Sequence, residues 1–312
     1  MHTLEIVEKG IMVQLPESWD EMSHKQAHYC LKQANLLLER EISETTFLIR
    51  CFYHLANIKR DFISVIWERI IPEDKVLTKN ANAFLLAEKL LAFMFKETLD
   101  ESGQILSREF CYETVINQFS TFKVGGKVFT GPQDLLADIS FAEFRTALEE
   151  LTKFLETRDQ AQLRRLLAVL YRPQLKNLKH LKKRTDYNGK TKVLFNANRV
   201  EADSKLLAWL PVWQLNGMLL HFTYCVHYIK ENDIELEGRV LNFSPLFPKP
   251  KATDVNAKPK PSTGWAGVLF GIAEKGVFGN AEHTDQTNLF DILIFLFENY
   301  LQNKEIEKRQ AS

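Results

Sequence analysis

From Leu206 to Ile229 the chain carries no Lys, Arg, Asp or Glu. Large apolar side chains point in every direction around such a segment, so as a helix it must be enclosed by lipid, by its own fold or by a partner. Its length would cross a bilayer. Pro211, Gln214, Asn216, Gly217, His221 and His227 argue against that, because each is costly in hydrocarbon. A span would also leave an acid-bearing domain on each side, with no second clear span to accompany it. The segment therefore reads as a buried core helix capped by Asp203 or Ser204, or as one packed on a neighbouring subunit. Trp209, Trp213 and Phe222 are the candidate partner-interface residues, and no membrane association is expected.

The rest of the chain reads as helices punctuated by hairpins. Leu4 to Glu8 and Ile11 to Leu15, around Gly10, form a short N-terminal β-hairpin. Ser23 and Gln26 have capping-box spacing ahead of an apolar stripe of Ala27, Cys30, Leu31, Ala34, Leu37 and Leu38. Ser43 opens a second helix through Ile58. Asp61 starts a third that Pro72 stops, and a fourth covers Asn80 to Leu99. A second hairpin turns at Gly125-Gly126, between Phe119–Val124 and Lys127–Thr130. Ser140 with Glu143, and then Asp159, open a capped helix pair that ends at Tyr171-Arg172-Pro173. Trp265 to Ala273 is helical, with Gly276 as its stop, and Asp285 starts the last helix.

The fold expected is thus mainly α, with an N-terminal β-hairpin and a second short β-hairpin near 118–130. Its segments are 1–100 (hairpin plus helices), 101–173 (hairpin and capped helix pair), 174–203 (basic connector), 204–244 (apolar core helix region), 245–262 (Pro/Lys-rich linker) and 263–312 (C-terminal helical hairpin).

Forty basic residues balance forty acidic ones, and 45% of the chain is apolar. No global field attracts nucleic acid or acidic lipid, so such binding needs a local patch. One exists. Lys176, Lys179, Lys182, Lys183, Arg184, Lys190 and Lys192 stand against Asp186 alone between positions 176 and 192. Lys182, Lys183 and Arg184 are the candidate nucleic-acid contacts. A solvated loop explains the same charges.

No pattern of catalytic or ligating residues is complete. His24 and His28 have metal-binding i, i+4 spacing, but Lys25 stands where a metalloprotease needs glutamate. His221, Cys225 and His227 lack a further ligand and read as core residues. The glycines of Gly264–Gly271 and Gly276–Gly279 lack the Lys-Ser/Thr end of a phosphate loop and read as helix contacts and a cap. Cys30, Cys51, Cys111 and Cys225 are widely spaced and read as reduced thiols of a cytosolic protein. The N-terminus has neither the basic start nor the apolar run of a signal peptide. Accordingly no catalytic, cofactor-binding or metal-binding residue is assigned, no cofactor is expected, and the chain is expected not to be an enzyme.

Pro16-Glu-Ser-Trp-Asp-Glu21, Leu170-Tyr-Arg-Pro173 and Gly276-Val-Phe-Gly279 together resemble a group of proteins encoded among the morphogenesis genes of tailed phages and prophages of Bacteroidota. The likeness touches the beginning, middle and end of the chain. It implies a non-catalytic virion structural or tail-assembly role. The partners would be other phage structural proteins or copies of the same chain. The place would be the host cytoplasm during assembly, and the virion.

Overall fold

The computed structural model describes residues 1–6, 11–59, 73–100, 102–187, 189–247 and 264–311. The turn at Gly10, the expected helix from Asp61 and nearly all of the linker 245–262 lie outside them. Twelve helices and nine short strands among the described residues make the chain mainly α. They fall into two compact units, one of Met1–Gln118 with Pro211–His221 and one of Phe119–Leu210 with Phe222–Ser312.

The first unit opens with β1 (His2–Ile6) and β2 (Ile11–Leu15), an antiparallel pair in which Leu4 faces Val13. Helix α1 (His24–Leu38) starts at a formed capping box: Ser23 accepts from the Gln26 amide, and Gln26 reaches back to the Ser23 amide. Its Ala27, Cys30, Leu31 and Ala34 are buried as the period predicts, whereas Leu38 is exposed. Ser43 likewise caps α2 (Glu44–Leu55), which buries Phe47, Leu48, Cys51 and Leu55. Two further helices, α3 (Glu73–Lys79) and α4 (Ala81–Leu90), complete the helical part.

The helix expected to continue to Leu99 does not. After α4 a single 3-10 turn leads into β3 (Phe95–Leu99), which pairs with β4 (Ile105–Phe110). Phe95 and Phe110 face each other at the base, and the Asp100 carboxylate closes the tip by accepting from the Ser102 and Gln104 amides at 2.8 and 2.9 Å. Long-range pairing has overridden local helical preference here. At the centre of the unit lies Trp19. Its ring meets Phe93, Phe110 and Tyr112 edge-on, and its Nε1 donates to the Cys111 carbonyl at 3.2 Å.

In the second unit, β5 (Thr121–Val124) and β6 (Lys127–Thr130) form the expected Gly-Gly hairpin, with φ of +55° at Gly125 and +73° at Gly126. Unforeseen was a third strand, β7 (Arg172–Pro173), laid along β6. Helix α5 (Phe141–Thr157) begins at the Ser140/Glu143 capping box and α6 (Gln160–Leu170) at Asp159. Residues Leu178–Leu181 make a single turn, α7. Helix α8 (Ala197–Leu207) is capped by Asn196, not by Asp203 or Ser204, which lie inside it.

The uncharged stretch is therefore two helices. Pro211, with its fixed φ and missing donor, suits the start of a helix and not its interior. Its carbonyl receives the Gln214 and Leu215 amides at 3.0 and 3.3 Å, and α9 (Val212–Glu231) runs from there. A fourth hairpin, β8 (Asp233–Leu236) with β9 (Arg239–Asn242), turns at Glu237-Gly238, both at positive φ. At the C-terminal end, α10 (Gly264–Glu274) stops at Gly276, and Asn280 caps the short α11 (Ala281–Gln286). The last helix, α12 (Leu289–Ala311), begins after Asp285 rather than at it.

Candidate functional site

The most distinctive polar arrangement among the described residues is an ion cluster in the second unit, buried but for the partly exposed Asp138. Glu143 closes the α5 capping box with one carboxylate oxygen, accepting from the Ser140 amide at 3.0 Å. Its other oxygen lies 2.6 Å from Arg172 Nη1, and both side chains are buried. Strand β7 holds Arg172 in place, and its guanidinium also donates to the carbonyls of Val193 and Val169, each at 2.8 Å. Lys192 Nζ lies 3.3 Å from Asp138 and 3.8 Å from Glu143. Two cations thus face two carboxylates. Burial lowers the Lys192 pKa; Glu143 and Asp138 oppose the shift, and Arg172 adds to it. An ammonium clamped in this way is poorly placed as a base or nucleophile. The cleft beside Arg172, lined by Val193, Phe195, Asn196, Arg199 and Asp203, has a volume of about 10 Å³, room for one water. This centre ties β7, the 190s segment and the start of α5 together.

Of the seven basic residues between 176 and 192, the structure therefore withdraws Lys192 into the interior. Arg184 is occupied too, as its Nε and Nη2 donate to the two oxygens of Asp186 at 2.9 and 2.7 Å. Lys176, Lys179, Lys182, Lys183 and Lys190 are exposed. Of the three expected nucleic-acid contacts, Lys182 and Lys183 face solvent, and Arg184 does so with its fork already engaged.

The three expected interface residues differ in exposure. Phe222 is fully buried by its own chain, so it is unavailable to a partner in this conformation. Trp213 is half-buried, 5.7 Å from the His28 ring. Trp209, in the turn between α8 and α9, is 81% exposed. Most of the apolar residues of the stretch are consumed by the fold itself. Two of its polar residues have partners, as burial demands: Asn216 donates to Asn35 at 2.8 Å, and His221 Nε2 lies 3.1 Å from the Val115 carbonyl.

The other titratable candidates are equally engaged. His28 Nε2 lies 2.7 Å from the Gln118 carbonyl, so that nitrogen is not presented alongside His24 for a metal. No group of three potential metal ligands occurs among the described residues. Burial pushes the Cys225 thiol up to about 12 and Cys111 to about 11, and it raises Cys51 well above the usual thiol range. That is the opposite of nucleophile activation.

One surface escaped the sequence reading. Helix α10 turns Trp265 against Phe141 and Phe144 and buries Leu269 and Ile272. Its other side leaves Phe270 64% exposed, with Val277 56% exposed just beyond. Gly271, expected to serve a helix–helix contact, has no atom within 4 Å of where a Cβ would stand. A run of apolar and small residues signals burial on all sides, and here the described residues cover only one side.

Compared with protein-family models, curated proteins and solved structures, the chain matches none. The three segments that carry the phage resemblance all have structural work within the chain. Trp19 anchors the first unit, and Asp20 accepts from Thr114 Oγ1. Tyr171 and Arg172 are buried in the second. Gly276 and Gly279 take positive φ around Phe278, whose ring packs edge-on against Phe295. No helix among the described residues is long and apolar enough to cross a membrane.

Proposed function

We propose that this chain is a non-catalytic structural or tail-assembly protein of a tailed phage or prophage, working through protein–protein contacts in the host cytoplasm and in the virion. The observation that carries the contact role is the outer face of α10. Phe270 is exposed beside Gly271 and Val277 just beyond the helix; Gly271 is a mid-helix glycine that costs about 1 kcal/mol relative to alanine, with no neighbour among the described residues within 4 Å of where a Cβ would stand. A partner whose backbone approaches closely over Gly271 would account for both features, and exposed apolar clusters are what binding surfaces are made from. Trp209 offers a second apolar anchor of the kind that dominates interface energies. The assignment to phage morphogenesis rests on the resemblance of the three segments. Co-expression with the products of neighbouring genes, followed by light scattering and co-purification, tests the reading. The expected result is a stable complex that Phe270→Glu abolishes while the helical content is kept.

A further inference from the structure

The chain as a whole is neutral, yet between Lys176 and Lys190 six Lys or Arg stand against Asp186 alone. The structure sorts these charges in a way that composition does not. Arg184, the only guanidinium, spends its fork on Asp186. The lysines are left exposed. Lys179, Lys182 and Lys183 are spaced i, i+3, i+4 through α7 and the helical turns that extend it, where the Lys183 amide bonds the His180 carbonyl at 3.1 Å and the Arg184 amide bonds that of Leu181 at 3.0 Å. Residues at that spacing share one side of the turn. Lys179 and Lys182 border a shallow open depression that Gln174, Leu175, Asn177, Leu178 and His180 also line. The apolar residues of the segment, Leu175, Leu178 and Leu181, are half-buried, the first two forming part of the floor of that depression.

We propose that this basic turn docks double-helical nucleic acid through its phosphates. The chemistry selects that partner. Flexible ammonium groups act as point charges and suit a row of phosphates, whereas reading of base edges favours planar forks such as the one Asp186 occupies. Contact is therefore with the backbone and indifferent to sequence. An anionic membrane fits less well, because surface-bound segments insert fully exposed apolar side chains, and Leu175, Leu178 and Leu181 are half-buried in a recess rather than exposed. The site is separate from the α10 face, so either can fail without the other.

The test is fluorescence anisotropy of the full chain with two unrelated 20-base-pair duplexes at about 50 and 200 mM salt. Lys179→Gln/Lys182→Gln/Lys183→Gln and Arg184→Gln are measured beside the unaltered protein. All four positions are exposed, so folding is not at stake. The expected result is equal affinity for both duplexes, a steep loss with salt, and a log–log salt slope that falls by roughly 2.5 to 3 in the triple lysine variant, about 0.9 per phosphate contact. Arg184→Gln is expected to change affinity less than twofold. Absence of binding at 50 mM salt, an unchanged slope in the triple variant, or binding to an acidic peptide or phosphatidylserine vesicles that exceeds binding to DNA would each overturn the proposal.

Discussion

Arg172 and Glu143 meet at 2.6 Å with both side chains closed off from solvent, and the same carboxylate completes the N-terminal cap of α5. A buried cation left without its anion is among the most damaging single changes a fold can suffer. Glu143→Gln is therefore expected to cost about 3–5 kcal/mol, leaving Arg172 with only backbone carbonyls and Lys192 with Asp138. Ser140→Ala, which removes only the reciprocal cap, is expected to cost about 1 kcal/mol. Urea unfolding of the two variants checks the ranking, and equal losses would show that the ion pair contributes nothing beyond the cap.

Two tryptophans are expected to respond in opposite ways to truncation. Trp19 is enclosed by Phe93, Phe110 and Tyr112, so Trp19→Ala is expected to lose about 3–5 kcal/mol. Trp209 is 81% exposed, and Trp209→Ala is expected to stay within about 0.5 kcal/mol of the unaltered protein. Chemical denaturation measures both. A large loss at Trp209 would mean that its exposure has been misjudged.

Stability is expected to depend on two histidines. Burial lowers the pKa of His28 below its ordinary 6.5; the hydrogen bond to Gln118 opposes this, and the charge on His24 adds to it. Burial also lowers that of His54, which stacks on Tyr29 at 3.8 Å. In each case the unfolded chain takes up its proton first. The stability these neutral rings contribute is therefore complete above pH 6.5 and lost as the pH falls through 6.5 toward the depressed folded values. Melting temperatures measured from pH 7.5 to 5 should fall, and His28→Gln/His54→Gln should flatten the fall. An unchanged slope in that variant would assign the acid sensitivity to other groups.

Much of the fold can be read locally, because caps and periods are local. Ser23, Ser43, Ser140 and Asp159 each start the helix expected of them. The Gly125-Gly126 turn has the positive φ angles that its pair of glycines implies. What could not be read depends on distant partners. Phe95–Leu99 looks helical until Ile105–Phe110 is available to pair with it, and Arg172-Pro173 is a helix end until β6 lies alongside. The Glu237-Gly238 hairpin did carry a signal, a Gly-bearing two-residue turn between alternating strands. The site residues divide the same way. Clustered charge is visible in sequence, but that Lys192 turns inward and Arg184 folds back on Asp186 is a tertiary outcome. The α10 face could not be foreseen, because an apolar run does not say which of its sides the chain will leave uncovered.

The proposed function puts the outer face of α10 in a protein–protein contact during particle assembly. Its most direct measurement is the mass of the complex by light scattering, after co-expression with the neighbouring gene products, for the unaltered chain and for Phe270→Glu. The expected result is a heteromeric or self-associated species with the unaltered chain, and a monomer of unchanged helical content with the variant. A chain that is strictly monomeric, captures none of those products and is absent from purified particles would contradict it.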